Sequence, residues 1–416
     1  MSKLYQDAQA IIKASLLSAS PDRSVIQALK DYSFWGKGLY EEGKIVLIAI
    51  GKAAWQMAFA AFSAKEFGKR NLSGVVITKY GHSMSDIPEV TIFEAGHPIP
   101  DSNSFVATEA AINAVSGLSP NDRVLFLISG GGSALFEKPL VTTHELESIT
   151  SQLLACGADI VEINIIRKRL SAVKGGRFAQ ICAPAKVYSI VLSDIIGDKL
   201  DMIASGPAQP DSSTCQDAID IIKKYNIKLK TREWLTNETP KKLDNVTTIV
   251  SGNVRQLCFA ARDKCLELGY TPHILTDSLN CTARDAGAFL SSIARFYSNT
   301  SNPIAFIAGG ETVVKLIGNG KGGRNQEIAL SAAIGIDGLQ DVVIFSFGSD
   351  GTDGPTDAAG GIVNGNTYKE LCKKGINAYD FLENNDAYHA LQAVDSLIVT
   401  GPTGTNVNDL SVVLIH

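Results

Sequence analysis

Short runs of consecutive apolar residues alternate with amphipathic segments along most of the chain. Apolar runs bounded by turn residues are typical of buried strands, and apolar residues spaced three and four positions apart are typical of helices. In the first half this pattern predicts strands at 45–50, 74–78, 123–129 and 187–193. It predicts helices at 53–62, 103–115, 144–156 and 218–225. Such alternation, with nearly unbroken apolar strands, predicts a mainly parallel sheet with helices on both faces.

A polar stretch without clear periodicity, residues 231–245, interrupts this pattern and predicts a domain boundary. The alternation then restarts. It predicts strands at 248–250, 271–275, 304–308, 313–317, 342–347 and 410–415. It predicts helices at 254–268, at 283–297 and from 326 onward. We therefore predict two α/β domains with mainly parallel sheets, formed by residues 1–240 and 241–416.

Composition narrows the class of protein. Of the 416 residues, 45% are apolar and 19% are charged, which supports a sizeable core. A net charge of -5 argues against a nucleic-acid-binding protein, since such proteins usually carry a basic face. No apolar run approaches the ~18 residues of a membrane span. The amphipathic N-terminus is interrupted by Asp7, Gln9 and Lys13, so it makes a poor signal peptide.

The seven cysteines are odd in number, irregularly spaced and without a CxxC pair. A zinc site is therefore not expected, and the spacing is typical of reduced thiols. These features together predict a cytoplasmic protein that binds neither nucleic acid nor a membrane, and they leave a homo-oligomer open.

Glycines and a lysine follow two of the predicted strands. Lys52 comes after the strand at 45–50 and begins a helix, where backbone amides and an ammonium suit a phosphate or carboxylate. Gly130, Gly131 and Gly132 follow the strand at 123–129 and precede Ser133. Glycines there allow the backbone to present amides to phosphate oxygens. The alternatives are a solvated lysine and a flexible connection.

Further charged groups accompany turn residues in the first half. Lys174 to Arg177 surrounds a glycine pair with two cations and follows three basic residues, 167–169, so a basic patch or a solvated helix face is expected. Asp194, followed by Asp198, ends the strand at 187–193. A carboxylate there can bind Mg²⁺, or it can cap a helix or form a turn.

The second half contains two segments rich in turn residues. Residues 348–357 hold Asp350, Asp353 and Asp357, of which we expect at least one to be functional and the others to be turn formers. Residues 318–323 match the dinucleotide-binding pattern GxGxxG, although Lys321 and Arg324 indicate direct contact with an anion. A solvated glycine-rich loop is the alternative.

Several familiar catalytic motifs are missing from the sequence, including the Walker A, HExxH, GxSxG and protein-kinase sets. The six histidines lack metal-ligand spacing. His97, in the segment 96–101, could carry a proton or simply bond to the backbone of its loop. The residue motifs alone therefore leave the reaction open.

Together the motifs resemble the glycerate 2-kinase family, whose C-terminal domain is called MOFRL. The matching segments occur in order from residue 50 to residue 409. They are 50–54, 96–101, 129–135, 173–177, 192–194, 204–207, 309–312, 322–327, 350–360 and 400–409.

This resemblance implies a larger Rossmann-like N-terminal domain and a MOFRL-type C-terminal domain, with the active site in the cleft between them. It implies ATP and D-glycerate as substrates, 2-phosphoglycerate and ADP as products, and Mg²⁺ or another divalent cation. Lys52 and Arg324 are the leading catalytic and substrate-binding candidates. Further candidates are Asn325 for substrate, Asp194 for catalysis or metal, Asp353 for metal, and Gly130, Gly131, Gly132, Ser133 and Lys174 for nucleotide phosphates.

Two other functions remain open. Some relatives have been labelled hydroxypyruvate reductases, and the GxGxxG match would suit an NAD(P)H-dependent enzyme. A protein that binds nucleotide or a small anion without turnover is the other alternative.

Overall fold

The computed structural model describes residues 2–31, 43–64, 72–197 and 199–416. They form two compact units, one of residues 21–251 and one that joins residues 1–20 to residues 252–416. The first helix, α1 (Lys3–Ser18), therefore belongs to the unit that contains the C-terminus. This differs from the predicted division after residue 240, which kept the first residues with the N-terminal domain.

The 21–251 unit contains a six-stranded sheet with the strand order β3-β2-β1-β4-β5-β6. Its strands are β1 (Ile45–Ile50), β2 (Leu72–Lys79), β3 (Val90–Ala95), β4 (Arg123–Ile128), β5 (Lys186–Leu192) and β6 (Val246–Gly252). Its helices are α2 (Pro21–Lys30), α3 (Ala54–Ser63), α4 (Ser102–Val115), α5 (Gly132–Leu135), α6 (Thr143–Ala155), α7 (Ile160–Leu170), α8 (Arg177–Ile181) and α9 (Cys215–Lys224). The first five strands of this order pair in parallel, as predicted.

Both faces of this sheet are covered. Along β1, Leu47 and Ala49 pack in one apolar cluster with residues of α3, and Val46 and Ile48 pack in a second cluster with residues of α4. Continuous burial of β1 and β4 explains why their sequences read as unbroken apolar runs. The strand order reverses between β1 and β4, which is where open α/β sheets bind ligands, beyond the carboxyl ends of the strands.

The other unit contains a second six-stranded sheet with the order β11-β10-β9-β12-β8-β7. Its strands are β7 (Thr271–Leu279), β8 (Ile304–Gly310), β9 (Val342–Gly348), β10 (Gly360–Asn364), β11 (Leu397–Ile398) and β12 (Asp409–Ile415). Besides α1, its helices are α10 (Val254–Glu267), α11 (Ala283–Tyr297), α12 (Arg324–Gly335), α13 (Thr367–Lys373), α14 (Ala378–Glu383) and α15 (Ala387–Ala393).

The second sheet is mainly antiparallel, so the prediction of two mainly parallel sheets was wrong here. Strand β12 runs antiparallel to both β8 and β9, and β10 runs antiparallel to β9 and β11. Among the described strands of this second sheet, only β7 and β8 pair in parallel. An apolar run reveals burial but not direction. The connection from β9 to β10 contains no crossover helix, which a parallel pair would need.

The predicted strand at 313–317 is also wrong. Val313 forms one isolated bridge with Thr282, and the segment forms no ladder. Val313, Leu316 and Ile317 are all more than half exposed, so their apolar character does not report a buried strand. The predicted strand at 248–250 exists as β6, but it lies in the first sheet.

Helix α1 is fixed by its apolar side, as its amphipathic pattern predicts. Ala8 and Ile11 are fully buried in a cluster with Leu257 and Ala261 of α10. The Tyr270 hydroxyl also donates a buried 2.8 Å hydrogen bond to a carboxylate oxygen of α1. Among the described residues, no helix is long and apolar enough to cross a membrane.

Candidate active site

The predicted motifs of the 21–251 unit meet at the carboxyl ends of its parallel strands. Lys52 follows β1, His97 follows β3, the segment 129–133 follows β4 and Asp194 follows β5. Parallel strands end at one edge of the sheet, so residues that are far apart in the chain become neighbours there. We call segment 129–133 the glycine loop.

Hydrogen bonds join the glycine loop to the turn after β1. The Lys52 amide donates to the Gly130 carbonyl over 2.9 Å, and the Ala53 amide donates to the Ser129 hydroxyl over 3.1 Å. Gly51 has a φ of +113°, and a Cβ at this position would overlap the Ser129 side chain. A larger residue at 51 would therefore separate the two segments.

Three functional side chains border the glycine loop. A Cβ at Gly130 would overlap the Asp194 carboxylate, so this carboxylate lies directly against the backbone. A Cβ at Gly131 would lie 3.1 Å from the His97 ring and 3.2 Å from Cγ of Lys52. The loop is thus surrounded by groups suited to phosphate chemistry, and its glycines make the close approach possible.

Charge around the loop is unbalanced. Within the described part of the chain, the Lys52 ammonium has no hydrogen-bond or ion-pair partner. Burial lowers the pKa of His97 to about 4, and the positive charges of Lys52, Lys79 and His82 add to this effect. His97 is therefore an uncharged imidazole at neutral pH, and the lysines supply the positive charge.

Asp194 fits one kind of metal site. Among the described residues, no group of three or more His, Cys, Asp or Glu side chains could hold a metal ion. Magnesium in nucleotide sites commonly uses one or two carboxylates together with phosphate oxygens and water. Asp194, half-buried against the glycine loop, could supply such a carboxylate. Asp198 lies outside the described residues.

Lys174 supports the loop from beneath instead of facing a ligand. Its side chain is fully buried, and the ammonium donates to Glu137 over 2.6 Å and to the Phe136 carbonyl over 3.0 Å. Burial lowers the pKa of Lys174 to about 8, although the Glu137 charge opposes this effect. The structure therefore does not favour Lys174 as a phosphate ligand. Arg167 adds support by donating to the Ser133 carbonyl over 3.0 Å.

The neighbouring basic residues form neither a surface patch nor a solvated helix face. Lys168 and Arg169 are buried and share the carboxylate of Asp211. Arg177 is also buried and donates to backbone carbonyls. These cations stabilise the local chain and are unavailable to a ligand.

Arg324, the first residue of α12, is held by two carboxylates. Its guanidinium contacts both oxygens of Asp409, one of them over 2.9 Å, and donates to Glu311 over 2.9 Å. Burial alone would lower the pKa of Arg324, but Asp409 and Glu311 together raise it above its ordinary value. The side chain remains 32% exposed, so a permanent, oriented cation faces solvent.

Asp353 and Asn325 are internal to the same unit. Asp353 is 3% exposed and accepts the Gln326 amide over 2.8 Å, and burial raises its pKa to about 7. Asn325 is buried, accepts from the Ser346 hydroxyl over 2.6 Å and contacts Asp353. The structure thus does not favour Asp353 as a metal ligand or Asn325 as a substrate ligand. Both instead fix the start of α12.

The GxGxxG segment is used for packing. A Cβ at Gly318 would overlap the backbone of Asn384, and one at Gly320 would overlap Asp386. The Lys321 ammonium lies 4.2 Å from the centre of the Tyr388 ring. These glycines therefore allow two chain segments to touch, and the preceding segment is not the strand that a dinucleotide fingerprint requires.

The other two aspartates of segment 348–357 have local partners. Asp350 accepts the Thr352 amide over 3.0 Å, which is a turn contact. Asp357 accepts the Tyr388 hydroxyl over 2.7 Å. Neither geometry favours a catalytic role.

Sequence reasoning singled out no role for Lys79, His82, Glu311 or Asp409. Lys79 ends β2, the neighbour of β1, and His82 follows it, whereas Asp409 begins β12 opposite the ends of β8 and β9. The available signal was their position at strand ends, which becomes informative once the strand order is known.

Two family models match the chain in agreement with the two halves of the motif series. Residues 7–237 match a family described as a domain of unknown function (DUF4147), and residues 304–409 match the MOFRL family. A D-glycerate 2-kinase of Thermotoga maritima is 50% identical and aligns over 97% of each chain. The chain belongs to the glycerate 2-kinase family.

The fold agrees with this membership. The crystal structure of a glycerate kinase from Thermotoga maritima superposes with a TM-score of 0.92 at 49% identity, over 99% of each chain. A protein of Agrobacterium vitis named a putative hydroxypyruvate reductase is 40% identical over 90% of this chain and 100% of its own. The predicted family resemblance is therefore confirmed, and relatives bear two different functional names.

Proposed function

We propose that this chain transfers the γ-phosphoryl group of ATP to the 2-hydroxyl of D-glycerate, giving 2-phosphoglycerate and ADP. The observation that carries the proposal is the position of Lys52 beside the glycine loop, at the reversal of the strand order, with an ammonium that has no partner among the described residues. The name of the Thermotoga maritima relative supports the choice of acceptor.

Phosphoryl transfer depends mainly on positioning and on stabilising charge, and the residues at hand suit both tasks. Gly131, Gly132 and Ser133 enter a short helix, whose first amides have no partner within the helix and can bind phosphate oxygens. Lys52 holds the transferred phosphoryl group. Asp194 either binds the divalent cation or accepts the proton of the 2-hydroxyl.

A Mg²⁺ ion bound with ATP would neutralise charge on the phosphate oxygens during transfer. Asp194 is the described carboxylate best placed to hold it, because it lies against the glycine loop. An Asp194→Asn variant separates its two roles. A metal ligand would show a raised metal requirement, whereas a proton acceptor would show a lower kcat at saturating metal.

Arg324 is an oriented cation of the unit that contains residues 252–416. An arginine has five N–H donors, and the contacts with Asp409 and Glu311 use three of them. The remaining donors can bind an oxyanion with the geometry fixed in advance. We propose that Arg324 serves the same reaction as Lys52 by stabilising charge on the phosphoryl group.

The alternative reductase function rests on the name that some relatives bear and on the GxGxxG segment. The segment packs against residues 384–386, which removes its support for a dinucleotide site. We also propose a cytoplasmic location, where seven free thiols stay reduced.

The direct test is to incubate the purified protein with ATP, Mg²⁺ and D-glycerate and to identify the product by phosphorus NMR. We expect 2-phosphoglycerate. Lys52→Met should lower kcat by about a hundredfold or more, because a charge that stabilises the transition state is lost. Arg324→Lys should also lower kcat, since lysine cannot keep the planar contacts with Asp409.

The matched control is Lys186→Met, which removes an exposed lysine at the opposite end of the same sheet. It should keep the activity of the unmodified protein. Consumption of NADH with hydroxypyruvate, without phosphorylated product, would overturn the kinase proposal in favour of the reductase. Normal turnover in Lys52→Met would remove that residue from the mechanism.

A further inference from the structure

We propose that Lys79 and His97 bind the carboxylate of the hydroxy-acid acceptor, which leaves Lys52 for the transferred phosphoryl group. This inference rests on the proposed function and specifies how the same site distinguishes a hydroxy acid from a simple alcohol.

Strand register places the two lysines side by side. Ile50 of β1 is the partner of Ile77 in β2, and the strands are parallel. Lys79, two residues after Ile77, ends β2, and Lys52, two residues after Ile50, lies in the turn that follows β1. Lys79 in turn pairs with Ala95 of β3, and His97 follows Ala95 by two residues.

Alternation places the Lys79 side chain on one face of the sheet, and contacts with the glycine loop place those of Lys52 and His97 near that face. Ile50, Ile77 and Ala95 belong to the same apolar cluster, on the face covered by α4. Side chains two positions apart on a strand point to the same face, so Lys79, the last residue of β2, points to the face of Ile77. The contact between His97 and the glycine loop agrees with this, because Gly132 of the loop also borders Ile50.

Hydrogen bonds hold the ends of these strands together. The Lys52 carbonyl accepts from the Thr78 hydroxyl over 3.4 Å and lies 3.1 Å from Nδ1 of His82. The Tyr80 amide donates to the Ala95 carbonyl over 3.3 Å. The turns after β1, β2 and β3 therefore form one connected rim.

The two lysines of the rim have no direct ion-pair partner among the described residues. The nearby acids are already engaged: Glu94 accepts from Ser83, and Asp101 accepts from Tyr80. The positive charges of Lys52 and Lys79 both act on His97, so the two ammonium groups lie near the same point. An anion bound there would reduce the repulsion between them.

Strand order assigns this anion to the acceptor. In the order β3-β2-β1-β4, the turn with Lys52 after β1 follows the strand between β4, which leads into the glycine loop, and β2, which ends at Lys79. With nucleotide phosphates on the glycine loop, the acceptor must approach Lys52 from the β2 and β3 side. An ammonium and a neutral imidazole N–H supply the two donors that a carboxylate accepts.

The test is steady-state kinetics of Lys79→Met with ATP and D-glycerate varied in turn. We expect the KM for D-glycerate to rise about tenfold to a hundredfold, the loss typical of a hydrogen bond to a charged group. The KM for ATP and kcat should stay within about twofold, because the contact is equal in ground and transition states. His97→Asn should raise the same KM, and Lys79→Arg should restore it in part.

Lys186→Met is again the matched control and should leave both KM values unchanged. A rise in the KM for ATP alone would show that Lys79 binds phosphate and would overturn the carboxylate assignment. Unchanged kinetics in Lys79→Met would overturn the subsite. If the unmodified protein phosphorylates no D-glycerate, the proposed function fails by itself. The affinity for D-glycerate is then measured by calorimetry for the unmodified protein and for Lys79→Met. A lower affinity in Lys79→Met supports the subsite, and equal affinities overturn it.

Discussion

At the scale of single residues, burial decides which carboxylates carry charge. Asp353 is almost fully buried and close to Asp409, and its pKa is raised to about 7 chiefly by loss of water. Burial likewise raises the pKa of Asp409, although the Arg324 guanidinium opposes the shift. The positive charge of Arg324 thus favours the ionised forms of both carboxylates, whereas burial disfavours them.

This arrangement makes stability depend on pH through Asp353. Its pKa is about 7 in the folded protein and near 3.8 as a free side chain, so the folded state holds the proton more tightly. The stabilisation from the proton is complete below pH 4 and is lost as pH rises through 7. Asp353→Asn should remove this loss, which is at most about 4 kcal/mol at 1.4 kcal/mol per pKa unit.

The measurement is urea unfolding of both proteins between pH 4 and pH 8. Asparagine can still accept the Gln326 amide, so the local contact is kept. The stability difference should shift in favour of the variant as pH rises. Parallel pH curves for the two proteins would show that Asp353 does not titrate as described.

Residue types near strand ends were predictable from the sequence, and their surroundings were not. Lys52, the three glycines and Asp194 were found because each follows an apolar run, and the structure brings them together. Lys174 and Asn325 lie in equally suggestive motifs but are buried. Their partners, Glu137 and Ser346, are distant in sequence, so local patterns carried no sign of them.

At the scale of elements, the loop 318–323 shows how glycine can serve packing. A Cβ at Gly320 would overlap Asp386, whereas one at Gly322 would lie 3.2 Å from its nearest neighbour. Gly320→Ala should therefore destabilise the protein by about 1 to 3 kcal/mol, the cost of overpacking. Gly322→Ala, the matched variant, should cost less.

Thermal unfolding of both variants, together with ATP binding, tests this explanation. Binding of ATP should be unchanged in Gly320→Ala, because the segment packs against residues 384–386 of the protein. Normal stability combined with lost nucleotide binding would instead favour the dinucleotide-site interpretation.

In the first sheet, β3 was missed because most of its residues are only partly buried, and β6 was predicted but assigned to the second domain. The other four strands could be predicted, because their apolar runs alternate with helices, whose sequences have their own period. The second sheet could not. Strand β11 has two residues and β10 has two glycines, so neither shows a strand pattern. Strand direction there depends on which neighbours pair, and this is settled by tertiary contacts outside any local window.

At the scale of the whole molecule, the chain's first helix stabilises the unit made by its last residues. Ile11 is fully buried against α10, whereas Leu17 of the same helix is 39% exposed. Ile11→Ala should lower the free energy of unfolding by about 2 to 5 kcal/mol, and Leu17→Ala by much less.

The effect of Ile11→Ala should be confined to one unit. The apolar clusters of the 21–251 unit contain no residue of α1. Hydrogen exchange should therefore increase in β8 and β12 but not in β1 or β4. Equal increases in both sheets would contradict this division of the molecule.

Because β12 lies in the middle of the second sheet, this sheet can be completed only after the first unit has been synthesised and can fold. The 21–251 unit contains everything it needs long before synthesis ends. The second sheet lacks the strand between β8 and β9 until residues 409–415 have been added, and α1 lacks its binding surface until α10 has emerged. At about 5 to 20 residues per second, synthesis of a chain of this length takes roughly 20 to 80 seconds. For much of that time, the apolar side of α1 lacks some of the residues that it packs against in the folded protein. A message that ends early therefore yields a folded first unit attached to an unfinished second one, a product suited to recognition by chaperones and proteases.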